Sequence, residues 1–188
     1  EIDLLELFQL FMDNLFLILG LSILGFLLAF GYISFFVDPT YSSESTVFIQ
    51  PTVKENQVSA SDITTNQKLT TTYTEIAKSN TVLDQVWPSF KSTLTKNQIR
   101  SALTIKSIGD TQIISFTAVT TDPELSMKLV NRVVNVFMME IKKIMEIDNL
   151  TIIDKAQINE QKVGPNRTLN VVIGTMLGFM LGVGIALL

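Results

Sequence analysis

Two long uncharged apolar blocks constrain this chain more than any other feature of its sequence. The first block, 15–37, lies between Asp13 and Asp38, and the second, 168–188, follows Arg167 directly. A helix rises about 1.5 Å per residue, so each block is long enough to cross a hydrocarbon layer about 30 Å thick. A buried core helix would need more polar chain around it, and a signal peptide would begin with basic residues. We therefore predict two retained transmembrane helices.

The second block carries glycines at a helical repeat. Gly174, Gly178 and Gly182 are spaced by four residues, so they lie on one face of a helix. Small residues on one face let another helix backbone come close, which is how membrane helices commonly associate. Gly25 and Ala29 form a weaker version of this pattern in the first block. We predict that these five residues form a helix-packing or oligomer interface, whose partner is either the other span or a neighbouring subunit.

Composition excludes several classes of chemistry. The 188 residues include no histidine and no cysteine, which removes disulfides, thiolate metal sites, cysteine nucleophiles and imidazole bases. Acidic residues outnumber basic ones by 18 to 14, so the net charge of −4 argues against a nucleic-acid partner. No GxxxxGK[ST] phosphate loop occurs, and the carboxylates are scattered. The sequence predicts a protein that is not an enzyme and has no catalytic residues, metal or cofactor.

Two spans divide the chain into four segments with both ends on one side of the membrane. They are an N-terminal cytoplasmic or interfacial segment, the first span, an external domain and the second span, at residues 1–14, 15–37, 38–167 and 168–188. All 14 lysines and arginines lie in the external domain, but long domains translocate regardless of charge, so composition leaves the orientation open. The chain begins without methionine and stops inside the second span, so we expect further cytoplasmic segments beyond it.

Local signals in the middle segment predict an α+β domain. Asn80 interrupts one helical pattern, Thr95 and Gln98 form a capping box, and Asp122 followed by proline is a strong helix start. Strands are predicted at 41–50, 103–108, 111–119 and 150–156, helices at 65–86, 96–103 and from Asp122 to about Ile147, and a loop at 52–64. This βαββαβ order predicts an antiparallel sheet with helices on one face, one of them long, between the two transmembrane helices.

The long helix offers two candidate contact surfaces. Its apolar stripe is expected to cover the sheet, and it comprises Val130, Val133, Val134, Phe137, Ile141 and Ile144. A second flank comprises Leu125, Leu129, Val136 and Met139, and it indicates either deep burial or a subunit interface, for which Val136 and Met139 are the candidates. Lys142 and Lys143, near Glu140, indicate a solvated helix face or, alternatively, a contact with an anionic glycan or a phosphate.

Several of these segments together resemble one known family. Residues 73–86 resemble the Y-x-E-I-x-x-S-x-x-V-L-x-x-V stretch of the Wzz-domain chain-length determinant proteins, also called polysaccharide copolymerases. Residues 110–114, then 122–124 and Asn131, resemble the hairpin and helix of that family. Ala156, Pro165 and the glycine-rich final span resemble its second membrane segment. Because no very long helical insertion is present, the resemblance is to the short Gram-positive branch of CpsC/CapA-like capsule proteins.

The resemblance implies a membrane protein of the cell surface. It implies a ring-like homo-oligomer in the bacterial cell membrane, with both termini cytoplasmic and the central domain extracellular, that controls chain length and export of a capsular polysaccharide or exopolysaccharide. The implied partners are a cytoplasmic tyrosine autokinase that it activates, the polysaccharide polymerase and flippase machinery, and a lipid-linked polysaccharide. The alternatives are a two-span receptor with an extracellular ligand-binding domain and a channel subunit, for which Ser22, Ser34 and Thr175 are too few polar span residues.

Overall fold

The computed structural model describes residues 4–50, 70–109, 111–145 and 150–187. The chain forms two compact units, one made of Glu1–Pro39 with Val163–Leu188 and the other of Thr40–Lys162. The helices are α1 (Leu4–Asp13), α2 (Leu15–Phe36), α3 (described over 70–77), α4 (Asn80–Val86), α5 (Lys96–Ala102), α6 (Pro123–Met145) and α7 (Arg167–Ala186), with a 3₁₀ turn at Trp87–Ser89. The strands are β1 (Thr40–Ile49), β2 (Leu103–Ser107), β3 (Ile113–Thr120), β4 (Leu150–Asp154) and β5 (Lys162–Gly164).

The first unit contains the two apolar blocks, which fold as α2 and α7. Both helices are long and apolar enough to cross a membrane, which confirms that two such helices stand at the ends of the chain. Helix α7 begins where the Asn166 side chain accepts a hydrogen bond from the backbone N–H of Leu169 at 3.1 Å. The short helix α1 precedes α2 and occupies most of the predicted interfacial segment.

The second unit is built on an antiparallel sheet, as predicted. Four strands lie in the order β2-β3-β1-β4, and β3 pairs with both β1 and β2. Alternate residues of β1 from Ser43 to Ile49 are buried, so one face of the sheet is covered. Helix α6 packs on β1 and β3, and the rings of Phe116 and Phe137 lie 5.2 Å apart across that contact. The core lies between α6 and the buried face of the sheet, and it also includes buried side chains of α3, α4 and α5.

Most local signals lie where the sequence predicts them. Ser79 caps α4, Thr95 and Gln98 form a complete capping box at α5, and the Asp122 carboxylate accepts the backbone N–H of Glu124 at 2.9 Å. Gly109 adopts a left-handed φ of 55° between β2 and β3, a conformation that glycine adopts without a steric penalty. The loop at 52–64, the first residues of the helical pattern at 65–69, Asp110 and the predicted end of the long helix at Ile147 lie outside the described residues.

Candidate functional site

The five predicted interface residues of the spans meet one another along one contact. Gly178 and Gly182 are buried, and Gly25, Ala29 and Gly174 are half-buried. A Cβ placed on Gly25 would collide with the carbonyl oxygen of Gly174, and one on Gly174 would collide with the side chain of Ala29. The partner of the glycine face is therefore α2 of the same chain, and we call this contact the helix seam. Its role as an oligomer interface stays a prediction.

The helix seam is held at a separation that leaves no space for side chains. A Cβ on Gly178 would collide with the carbonyl oxygen of Leu21 and lie 3.1 Å from the Cα of Ser22, and one on Gly182 would lie 2.8 Å from the Cα of Ile18. Backbone atoms cannot rotate away as a flexible side chain could. In contrast, a Cβ on Gly184 would meet nothing within 4 Å. The close helix packing therefore requires glycine at positions 178 and 182 but not at position 184.

Polar side chains near the helix seam are satisfied within their own helices. Ser22 donates its hydroxyl to the carbonyl oxygen of Ile18 at 2.8 Å, and Thr175 donates to Val171 at 2.8 Å. Such bonds to the preceding turn let a hydroxyl occupy an apolar environment. These two hydroxyls therefore stay paired within α2 and α7.

The predicted subunit surface on α6 divides into a core residue and a surface residue. Val136 is fully buried, so its side chain packs inside the domain, and its assignment to a subunit interface is corrected. Leu129, from the same flank, is also buried. Met139 is 53% exposed, as is Ile144, which the sequence places on the buried stripe. The stripe continues along the core as far as Ile141 and then leaves it.

The charged residues near the end of α6 do not form one surface. Lys142 and Lys143 are exposed, whereas Glu140 is 6% exposed, so the prediction of a shared solvated face is wrong for Glu140. The Glu140 carboxylate accepts a hydrogen bond from the Gln85 side chain at 2.8 Å. Glu140 therefore joins α4 to α6, and only the two lysines remain on the outer surface.

Gln85 links this carboxylate to a cation. Its backbone carbonyl accepts a bond from Arg132 at 3.4 Å, while its side chain donates to Glu140, so residues from two turns of α6 meet one residue of α4. The Nε atom of Arg132 is buried without a hydrogen-bond partner. Sequence reasoning missed this cluster. Its signal is a glutamate four residues after Val136, on a face that is otherwise apolar.

Asn131, one residue of the family resemblance, holds the chain after β4 against α6. Its side-chain amide donates to the carbonyl oxygen of Ala156 at 3.0 Å and accepts the backbone N–H of Ala156 at 3.2 Å. Two bonds from one planar amide fix both position and direction of the bound backbone. The pairing explains why an asparagine and a small buried residue, 25 positions apart, both belong to the pattern.

Surface ion pairs of the domain are exposed and local. Lys128 and Glu124 lie 2.8 Å apart on α6, and the hydrogen bond that the Lys128 ammonium donates to this carboxylate raises the pKa of Lys128. Lys78 pairs with Glu75 at 3.3 Å, and Lys96 pairs with Asp84 at 2.7 Å. Exposed pairs of this kind contribute little to stability, because water screens them. Across the described ranges, no three or more acidic residues converge as a metal site would require.

Two family models match different parts of the chain. Residues 1–90 match the Wzz model, described as "Chain length determinant protein". Residues 118–188 match the GNVR model, described as "G-rich domain on putative tyrosine kinase". The second match begins near the end of β3 and continues through α6 and α7, so it includes both Asn131 and the glycine face.

Similar proteins come from capsule biosynthesis. The chain is 30% identical over 184 residues to the capsular polysaccharide biosynthesis protein CapA of Staphylococcus aureus (strain MRSA252), covering 97% of this chain and 83% of that one. It is 28% identical over 179 residues to the capsular polysaccharide biosynthesis protein CpsC of Streptococcus agalactiae, covering 95% and 78% respectively.

A solved structure shares the fold. The chain matches a "full-length bacterial polysaccharide co-polymerase" with a TM-score of 0.57 and 11% identity, covering 98% of this chain and 96% of that one. At this identity the match supports the fold alone, while the CapA match covers enough of both chains to establish kinship. The chain belongs to the family of capsular polysaccharide biosynthesis proteins that includes CapA, and its first 90 residues match the Wzz chain-length determinant model.

Proposed function

We propose that this chain is a membrane-anchored, non-enzymatic regulator of the chain length and export of a capsular polysaccharide. The observation that carries the proposal is an α/β domain joined at both ends to helices of membrane-spanning length, in a chain of the chain-length determinant family. Two anchors hold both ends of the domain at the membrane, where a growing lipid-linked polymer and its polymerase and flippase are also found. We expect those components to be its partners.

The proposed topology has both termini in the cytoplasm. Residues 1–14 would be cytoplasmic or interfacial, 15–37 and 168–188 would span the membrane, and 38–167 would be extracellular. Two spans return the chain to the side from which it started, which supports the placement of both ends in one compartment. The match to a domain described on a tyrosine kinase supports a cytoplasmic tyrosine autokinase as the partner that this protein activates.

We further propose that the protein works as a homo-oligomeric ring. The helix seam sets the geometry of one protomer, because its glycines fix the distance between α2 and α7. Met139 is an apolar side chain left exposed on α6, which supports it as a lateral contact. Lys142 and Lys143 stay candidates for a glycan or phosphate contact because both are exposed beside it.

Deleting the gene and sizing the surface polysaccharide on a gel tests the proposal. We expect the polymer length distribution to shift or lose its preferred length, and expression of the intact chain from a plasmid to restore it. An unchanged length distribution in the deletion strain would contradict a role in length control. It would favour the alternative, a two-span receptor, whose loss would alter a ligand response and leave the polymer unchanged.

A further inference from the structure

An open cavity of about 400 Å³ lies in the α/β domain beside β2. Its floor is apolar and buried, formed by Ala77, Leu83 and Ile105. Its rim is polar and exposed, formed by Lys78, Arg100 and Thr104. Binding sites for small ligands have volumes of about 300–1,000 Å³ and combine an apolar lining with a few polar groups. The cavity thus has the size and the lining of a ligand site.

The rim of the cavity is positively charged on a chain whose net charge is −4. Arg100 donates a short hydrogen bond to the side-chain oxygen of Asn80, which is neutral, and it forms no ion pair within the part of the chain that is described. Lys78 pairs with Glu75 at 3.3 Å, but both of these side chains are exposed, so water screens the pair. Lys78 and Arg100 therefore place two cations at the opening, and the Glu75 carboxylate partly offsets their charge.

Strand β2 adds backbone groups to the same place. In the sheet as described, β2 pairs only with β3 and forms an edge. The backbone N–H of Ile108 donates to the carbonyl of Ile113 at 2.9 Å, so Ile108, Lys106 and Thr104 direct their backbone groups toward β3. Antiparallel pairing alternates, so the N–H and C=O of Ile105 point to the open edge. A neutral donor and a neutral acceptor thus lie next to the cavity floor.

We propose that this cavity binds an acidic saccharide unit of the polysaccharide whose length the protein controls. The apolar face of a sugar ring packs on Ala77, Leu83 and Ile105, and its carboxylate or phosphate group pairs with Arg100 and Lys78. The edge of β2 exchanges hydrogen bonds with ring hydroxyls. The inference rests on the proposed function for the source of the saccharide, and it adds a second candidate contact whose lining does not include Lys142 or Lys143.

Binding of three probes to the full chain in detergent micelles tests the inference. Hyaluronan tetrasaccharide carries carboxylates, glucose 1-phosphate carries a phosphate, and maltotetraose is neutral. We expect at least one acidic probe to bind in titration calorimetry, more tightly than maltotetraose and more weakly as salt is raised, because the rim is exposed. The carboxylate and phosphate arms identify which anion the site prefers. Equal binding of all three probes, or no binding of either acidic probe, would overturn the inference.

Charge-removing variants locate the binding. Arg100→Gln and Lys78→Gln should each weaken the preferred acidic probe about tenfold, the effect of losing a charge-assisted hydrogen bond. Lys91→Gln, which removes an exposed lysine that does not line the cavity, should leave binding unchanged. Arg100 also contacts Asn80, so Arg100→Gln changes a contact within the fold as well as the site. Lys78→Gln is therefore the cleaner variant: we expect its thermal unfolding to be unchanged, so that its weaker binding reports the site and not the fold. Equal affinity in Lys78→Gln and Lys91→Gln would overturn the assignment to this cavity.

Charge-adding variants test the same location without removing any contact of Arg100. Thr104→Glu puts a carboxylate at the rim and should abolish acidic-probe binding, whereas Thr151→Glu puts one on a different strand and should have no such effect. If the Lys78 or Thr104 variant instead disperses the oligomer and leaves probe affinity intact, the cavity is a subunit contact and the inference fails. Probe affinity is measured separately from polymer length, so failure of this inference can be distinguished from failure of the proposed function.

Discussion

The helix pair exposes many of its large apolar side chains, whereas the α/β domain buries most of its own. In α2, Phe16 and Phe35 are 89% and 86% exposed, while Gly25 and Ala29 lie in the contact with α7. In the domain, Phe116 and Phe137 are fully buried. The first arrangement suits a hydrocarbon solvent and the second suits water. One chain of 188 residues thus combines a helix pair with the apolar exterior that lipid requires and a domain with the buried core that water requires.

The two regions also depend on different forces. Burial of apolar surface drives the domain together, so its stability should fall when buried volume is removed. Lipid chains are as apolar as leucine, so the helix pair gains little from burial and depends on close backbone approach. Its stability should fall when volume is added. Substitutions that remove volume from one region and add it to the other therefore test the comparison directly.

Removing volume from the domain core should have the largest effect. Phe137→Ala deletes a buried ring that contacts Phe116 at 5.2 Å, and the loss should be about 3–5 kcal/mol in the free energy of unfolding. Denaturant unfolding in detergent, followed by fluorescence of the single tryptophan, Trp87, measures it. Val119→Ala, at an exposed position of β3, is the control and should change the free energy by less than about 0.5 kcal/mol. Equal effects of the two changes would break the comparison on the side of the domain.

Adding volume to the helix seam should have the next largest effect. Gly178→Leu places a side chain against the backbone of Leu21 and Ser22, which should cost about 3 kcal/mol of helix packing, the upper end for overpacking. We expect loss of the preferred polysaccharide length on a gel, with unchanged Trp87 fluorescence. Gly184→Leu adds the same side chain where nothing lies within 4 Å and should keep the wild-type length. Loss of length control in both variants would mean that added bulk, and not the seam, is responsible.

The sequence predicts whatever depends on near neighbours. The spans, the capping box at Thr95, the break before Asn80 and the antiparallel hairpin all follow from residues a few positions apart. The glycine repeat likewise predicts a packed face, because spacing alone sets a helix face. The partner of that face does not follow from spacing, and only the fold shows that it is Gly25 and Ala29 of the same chain.

Contacts between distant segments are what the sequence leaves undetermined. Val136 and Met139 are three residues apart and similar in chemistry, yet one is buried and the other is 53% exposed. The sequence predicts a surface charge at Glu140, whereas in the fold this carboxylate accepts a hydrogen bond from Gln85, 55 residues away. The cavity needs Lys78, Arg100 and β2 together, and no local pattern joins them. In each case the missing information is which surface covers the residue.

Removing the cap of α5 should have the smallest effect and sharpens the comparison within the domain. Thr95→Ala deletes the hydroxyl that accepts the Gln98 backbone N–H at 3.3 Å, so the free energy of unfolding should fall by about 1 kcal/mol. The cost is smaller than that of Phe137→Ala because water can bond the freed N–H at this exposed position. Thr93→Ala, also exposed but outside the capping box, should leave stability unchanged in the same fluorescence titration. A loss in Thr95→Ala as large as that of the core variant would mean that α5 supports the core as a unit, so that local capping and burial are not separable in this domain.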